Sequence, residues 1–507
     1  MEAIKTPTVE MAMRLAMDEL ERRLEGVDEA YAGTQWRMHL GQTNGDELSR
    51  VEAARADVLL DVEMREILRR WEGEVSNPLL ARRVALLSRR FRRAEIEAQP
   101  QVYRLRNRID QTIINFQPRV VGRSCSRVER SEILRRHPDR DCRREAWLAM
   151  EPLAAQIEAD VRQLMYRRQH LARKQGYNGF IAWALDMIGL NREWVEGLFD
   201  ELRRSTDAPY RAWLAEMEQR LALRDGARLW DLAYAAEQAT PLPEVAIPRD
   251  GLLPAVQAVA DGLGLGEAIA GVQVNVVDIP YAALCYAIRP PDDVRVLLSP
   301  RDGQAHYDVL FHEFGHAAHW RCLRAASWIL RWESPPFNEA MACLWERLAS
   351  EPDWLVACER IVPQQVVNYQ QQRAIRKVYR LRALMARTVF EYRVYEALDS
   401  DLLALFQGVL EEYLGVPCDE VTGWADSPFW TSHSAYLQNY VIGEAAASQT
   451  LAALRRRYGR LIGEPQVGTW LVEHYYASGA SLPWMEKLVR ATGAPLGTAD
   501  LIADLRY

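Results

Sequence analysis

The chain has 507 residues, 49% hydrophobic and 26% charged, which are globular-protein proportions and exclude general disorder. A formal net charge of −7 speaks against bulk binding of nucleic acid or an anionic membrane. No stretch approaches the roughly 18 uncharged apolar residues of a spanning helix.

The opening MEAIKTPTVEMAMRLAMDEL lacks the basic-then-apolar layout of a secretory signal. The seven cysteines (125, 142, 285, 322, 343, 358, 418) are scattered, odd in number and without CxxC spacing, as expected of reduced thiols in a cytoplasmic protein. In chain order, Val9–Gly26 and Glu47–Trp71 carry apolar residues at three- and four-residue spacing and predict helices. A long helix is expected from Asp139 to about Gln175, after Pro138 and before Gly176, with further helical pattern over 192–223 and 252–265. The Pro-rich stretch Thr240–Pro248 is the expected boundary between two halves. Val272–Val277, Ala282–Ile288 and Val294–Leu298 are short, β-branched or aromatic, and predict a small sheet. Residues 364–407 contain neither Gly nor Pro and predict one or two long helices, and the last third is again helical. The expected organisation is an N-terminal helical region (1–125), a helical lobe (126–245) and a catalytic region (246–507), intertwined in one two-lobed, mostly α unit.

Residues 312–316 read His-Glu-Phe-Gly-His on a predicted helix Ala305–Leu323. Positions four apart on a helix lie about 40° apart around its axis, so His312 and His316 can face one metal ion. Glu313 is then placed to take a proton from water rather than to bind the metal. A third ligand is expected from the helix-like stretch Phe337–Ser350. There Glu339, 27 residues after His312, is the expected ligand, with Glu346 two turns on as its support. The alternative is that both face solvent. Two His and one carboxylate leave a fourth tetrahedral position open for water. Asp308 is a candidate partner for a ligand histidine's other nitrogen, or simply an acid at a helix N-terminus. His319 either supports the site or packs beside it. Glu333 and Glu351 read as solvated.

LFHEFGHAAH (310–319) followed by FNEAMACLWE (337–346) resembles the thimet oligopeptidase and oligoendopeptidase F family of zinc peptidases, and more distantly angiotensin-converting enzyme. Weaker likeness lies in Asp139–Trp147, in HLARKQGYNGF (170–180) and in Gly479-Ala480-Ser481, so that the resemblance covers roughly residues 130–500. It implies one zinc ion per chain, a deep cleft beside a small sheet, and short unstructured peptides as substrates. It also implies a His- and Tyr-rich segment that stabilises the tetrahedral intermediate, matched here by Ser427–Gly443. A phenol beside zinc can donate to a developing oxyanion, and the candidates are Tyr440, then Tyr436, then His433. This segment departs from the family pattern, with Trp430 at the expected His position and Gln438 where relatives often carry Tyr. Some related peptidases place an Asp four residues after the Glu ligand, but here that position is Cys343, leaving Asp308 to orient a histidine. Tyr281–Arg289 is the expected sheet edge for an extended substrate.

The expected activity is a zinc metalloendopeptidase with Glu313 as general base. The alternatives are a metallocarboxypeptidase or dipeptidase, for which Arg289 or Arg295 would clamp a terminal carboxylate, and a catalytically silent peptide-binding homologue. Neither nucleic acid nor membrane is an expected partner, and oligomeric state is open.

Overall fold

Small polar residues in the sequence write in the helix starts. Asn44 accepts from the backbone N–H groups of Asp46 and Glu47, and Asn77 caps a helix whose first residue is Pro78. The computed structural model describes residues 6–238, 242, 247–277, 283–357, 361–420, 423–426 and 433–506. The first helix, Thr6–His39, runs past its expected end at Gly26. Its buried stripe of Met13, Met17, Leu20 and Leu24 is followed three turns later by buried Trp36, so tertiary packing outweighs the cost of Gly26 and Gly33. The expected helix over 47–71 is two, Gly45–Leu59 and Val62–Trp71, because Asp61 caps the N–H of Met64 at 3.0 Å. The expected helix over 139–175 is also two, Arg140–Leu148 and Glu151–Lys174. Pro152 begins the second, where its missing N–H costs nothing.

Downstream, Arg192–Arg220 and Leu252–Gly262 follow the pattern. Pro363–Glu396 and Leu402–Leu414 are the helices of the Gly- and Pro-free stretch, divided where Asp401 caps the second. A two-residue hairpin, β1 (Arg119–Val120) and β2 (Arg123–Ser124), was not signalled by alternation. Most of the Thr240–Pro248 boundary lies outside the described residues.

The small sheet is β3 (Gln273–Val276), β4 (Ala283–Arg289) and β5 (Asp293–Leu298), in the order β3-β5-β4. β5 pairs parallel to β3 and antiparallel to β4, with Cys285 opposite Val296. Period-2 alternation divides its faces. Val294, Val296 and Leu298 join the main core, while Leu297 packs with Trp36 of the first helix. That main core runs from Ile96 to Leu505 and draws on all three expected regions. A second cluster joins the first helices to Trp328–Leu330. The result is a largely helical protein in which β4, at the sheet edge, meets the helix carrying the HExxH residues. Among the described residues no helix is long and apolar enough to cross a membrane.

Candidate metal centre

The HExxH helix spans Gln304–Arg321, and the helix carrying Glu339 spans Pro335–Leu348. They approach closely because Gly315 has no side chain. A Cβ there would stand 2.7 Å from the Ala342 Cα and from the Met341 carbonyl oxygen. On the far side, Gly443 of the helix Gln438–Tyr458 does the same, since its Cβ would meet the backbone of Glu339 and Ala340 at 3.0 Å. The Glu339 helix is thus held between two glycine contacts.

Helical spacing brings the rings of His312 and His316 to 5.1 Å, nearly perpendicular. Glu339 Oε2 lies 3.3 Å from His312 Nε2 and 3.9 Å from His316 Nε2. That oxygen is buried and accepts no hydrogen bond among the described residues. A buried carboxylate oxygen without a hydrogen bond is costly, and its position against two imidazole nitrogens gives it a natural role as a cation ligand. The three ligand atoms lie within 4.8 Å of one another. Two nitrogens and one oxygen suit zinc, and the residues therefore fit that ion. Burial holds His316 down to about 4, as a neutral imidazole. Burial also works against a charge on His312, but its contacts with Cys343, Glu339 and Glu346 outweigh it and shift its pKa well above the ordinary value.

Behind His312 the support is Glu346, whose Oε2 lies 3.2 Å from His312 Nδ1. Arg380, from the helix Pro363–Glu396, donates to Glu346 Oε1 at 2.9 Å. Glu346 therefore fills the orienting role expected of Asp308. Asp308 is half-buried and accepts from Gln304 at 2.8 Å instead. Cys343 sits with Glu346 beside His312. Arg380 had no signal in the sequence beyond basic residues at 373, 376, 377 and 380 on one long helix. Two further expectations are corrected. Glu333 is buried and paired with Lys487 rather than solvated, and Glu351 is partly buried against Arg455. His319 is fully buried and stacks on Trp320 at 5.5 Å, so it packs beside the site.

Glu313 reaches the sheet edge, where the backbone N–H of Cys285 donates to its Oε2 at 2.7 Å. Burial raises its pKa to about 7, with the charge of Glu339 adding to the rise and His312 and the Cys285 N–H opposing it. A carboxyl poised near neutrality suits proton transfer in both directions.

The Tyr436 hydroxyl donates to Glu339 Oε1 at 2.6 Å, so this phenol steadies the ligand carboxylate. The Tyr440 ring lies 6.4 Å from that of His312 and 5.7 Å from Tyr436. The His433 ring lies 5.7 Å from Tyr436. Burial first, then the charge of Glu339, raises both phenols, which keeps them protonated as donors. Burial, then Arg93 and Arg106, lowers His433 to about 4. Trp430 lies outside the described residues. The expected carboxylate clamps are engaged elsewhere, Arg295 by both oxygens of Asp293 and Arg289 by Glu29 at 3.5 Å.

Among solved structures, the chain matches the M32 carboxypeptidase from Deinococcus radiodurans R1 with a TM-score of 0.70, over 97% of this chain and 98% of that one. The largely helical fold with its small sheet is thus shared with that structure along almost the whole of both chains. Sequence identity is 15%, so the likeness is one of fold. Neither a family model nor a curated protein sequence matches the chain. The resemblance to the thimet oligopeptidase and oligoendopeptidase F family rests on the motif residues themselves.

Proposed function

We propose that the protein is a zinc metallopeptidase that cleaves within short, unstructured peptides, with one zinc per chain held by His312, His316 and Glu339. The observation that carries this reading is the buried Glu339 oxygen set against two imidazole nitrogens, one helical step from a carboxyl tuned near 7. Zinc in this setting supplies Lewis-acid activation of water and polarises a carbonyl. Everything else falls to side chains. Glu313 keeps Oε2 on the Cys285 N–H and uses Oε1 to take the proton of the attacking water, then returns it to the leaving amine. Tyr440 donates to the oxyanion, Tyr436 holds Glu339 in place, and His433 packs against Tyr436. The β4 edge lies beside Glu313, so an extended peptide added to it would present its backbone to the site.

A second reading, a carboxypeptidase on the same centre, is favoured by the full-length fold likeness. Digestion of a peptide library labelled at both termini, read by mass spectrometry, separates the two. Internal cuts that ignore C-terminal amidation support the endopeptidase, and stepwise loss of C-terminal residues supports the alternative. In the same assay Glu313→Gln should bind zinc normally and lose about 10²–10⁴-fold in kcat. Cleavage at the wild-type rate by that folded, zinc-loaded variant would refute the mechanism, and an inert zinc-loaded wild type would favour a silent peptide binder.

A further inference from the structure

The helix Pro78–Glu97 carries Arg82, Arg89 and Arg93 at seven- and four-residue spacing, hence on one face. That face lines a cavity of about 620 Å³ that reaches Ser334, Pro335 and Tyr436. These are the start of the Glu339 helix and the phenol bonded to Glu339. The cavity therefore adjoins the metal centre through Tyr436 and has the size of a ligand site.

Its charge is one-sided. Seven arginines and three glutamates line it, in a chain whose net charge is −7. Four of the arginines are matched. Arg55 and Arg90 share Asp28, Arg106 pairs with Glu52, and Arg168 pairs with Glu97. Glu333, the third acid, is neutralised by Lys487. Arg82 donates through Nε to the Ala480 carbonyl and forms no ion pair with a described carboxylate. Arg89 and Arg93 line the cavity and form no hydrogen bond or ion pair with a described residue, and Arg93 is exposed. The wall is short of negative charge.

We infer that this cavity is a subsite for carboxylate side chains, so that the enzyme prefers peptides with Glu or Asp near the cleaved bond. The inference rests on the peptidase reading above. Spacing favours side chains over a single C-terminal carboxylate. Four helical residues advance about 6 Å, and same-face side chains of an extended peptide stand about 6.6 Å apart. Arg93 and Arg89 can therefore meet two acids at alternate positions. Long guanidinium donors suit carboxylates at such sites.

The test uses zinc-loaded enzyme and quenched peptides, acetylated and amidated, that differ only in Glu or Gln at two alternate positions. Wild type should favour the Glu peptide roughly tenfold in kcat/KM at low salt, less at high salt. Arg89→Gln combined with Arg93→Gln should collapse that ratio, with an unchanged Tm showing that folding is intact. The zinc-loaded Glu313→Gln protein gives a second arm by fluorescence anisotropy. Tighter binding of the Glu peptide, abolished by the arginine changes, supports the subsite, and equal binding of the two peptides overturns it. If the arginine changes instead erase a preference for free over amidated C-termini, the arginines read the terminus and the side-chain assignment fails. A wild type that cleaves neither capped peptide overturns the endopeptidase reading, while the binding arm still decides the subsite.

Discussion

At the scale of single residues, the centre depends on what stands behind each ligand. His312 is held through Nδ1 by Glu346, and Glu346 is held by Arg380. Burial works against a charge on Glu346, but Arg380 and the His312 hydrogen bond outweigh it and keep the carboxyl well below its ordinary range. A carboxylate in that position fixes the imidazole's orientation and strengthens it as a ligand. Glu346→Gln should therefore weaken zinc binding about 10–100-fold, measured by chelator competition. Arg380→Ala should move the affinity in the same direction while leaving every ligand in place. An unchanged zinc affinity in both variants would show that Glu346 does not orient His312.

Elements set the distance between ligands. The HExxH helix and the Glu339 helix meet where Gly315 faces Ala342, Met341 and Trp345. In Gly315→Ala the added methyl meets backbone at 2.7 Å, which cannot rotate away. The expected result is a loss of stability of about 1–3 kcal/mol, seen as a lower Tm, together with weaker zinc retention. Arginine on an exposed face has no such effect, so Arg211→Ala serves as a control. The helices that hold the ligands were legible because their periodicity is long and their starts carry Pro or Gly. The breaks at Asp61 and Met150 were not. The first is a side-chain cap and the second a turn without one, each inside a stretch whose apolar periodicity continues on both sides.

Across the whole molecule, a buried acid ties the tyrosine segment to the helical core. Glu391, on the helix Pro363–Glu396, accepts from the Ala435 N–H at 2.8 Å, one residue before Tyr436. Burial raises its pKa from the ordinary 4.5 to about 8, with Arg168 and the Ala435 N–H opposing and Glu97 adding. The folded protein thus binds this proton more tightly than the unfolded chain. Its contribution to stability is fully present below about 4.5 and is lost as pH rises through about 8. Glu391→Gln keeps an acceptor for Ala435 and removes the titration. Thermal unfolding across this window should show a smaller fall in Tm with rising pH than wild type. Equal slopes for the two proteins would show that Glu391 is ionised in the fold.

The sequence by itself determined the helical class and the small sheet beside the HExxH helix, and it singled out His312, His316 and Glu339, which the fold brings together, with Glu313 beside them. These depend on short-range spacing, which a helix converts directly into a shared face. Only the tertiary structure decided that Glu346 rather than Asp308 faces His312, that Tyr436 grips Glu339, and that Glu333 is buried with Lys487. It also placed Arg82, Arg89 and Arg93 on the wall of the cavity. Those contacts join residues from 34 to 154 positions apart in the chain. No local period encodes which of several acids or phenols a distant helix will bring to the metal. That choice is made by how the helices pack, with glycines at 315 and 443 setting how closely they approach.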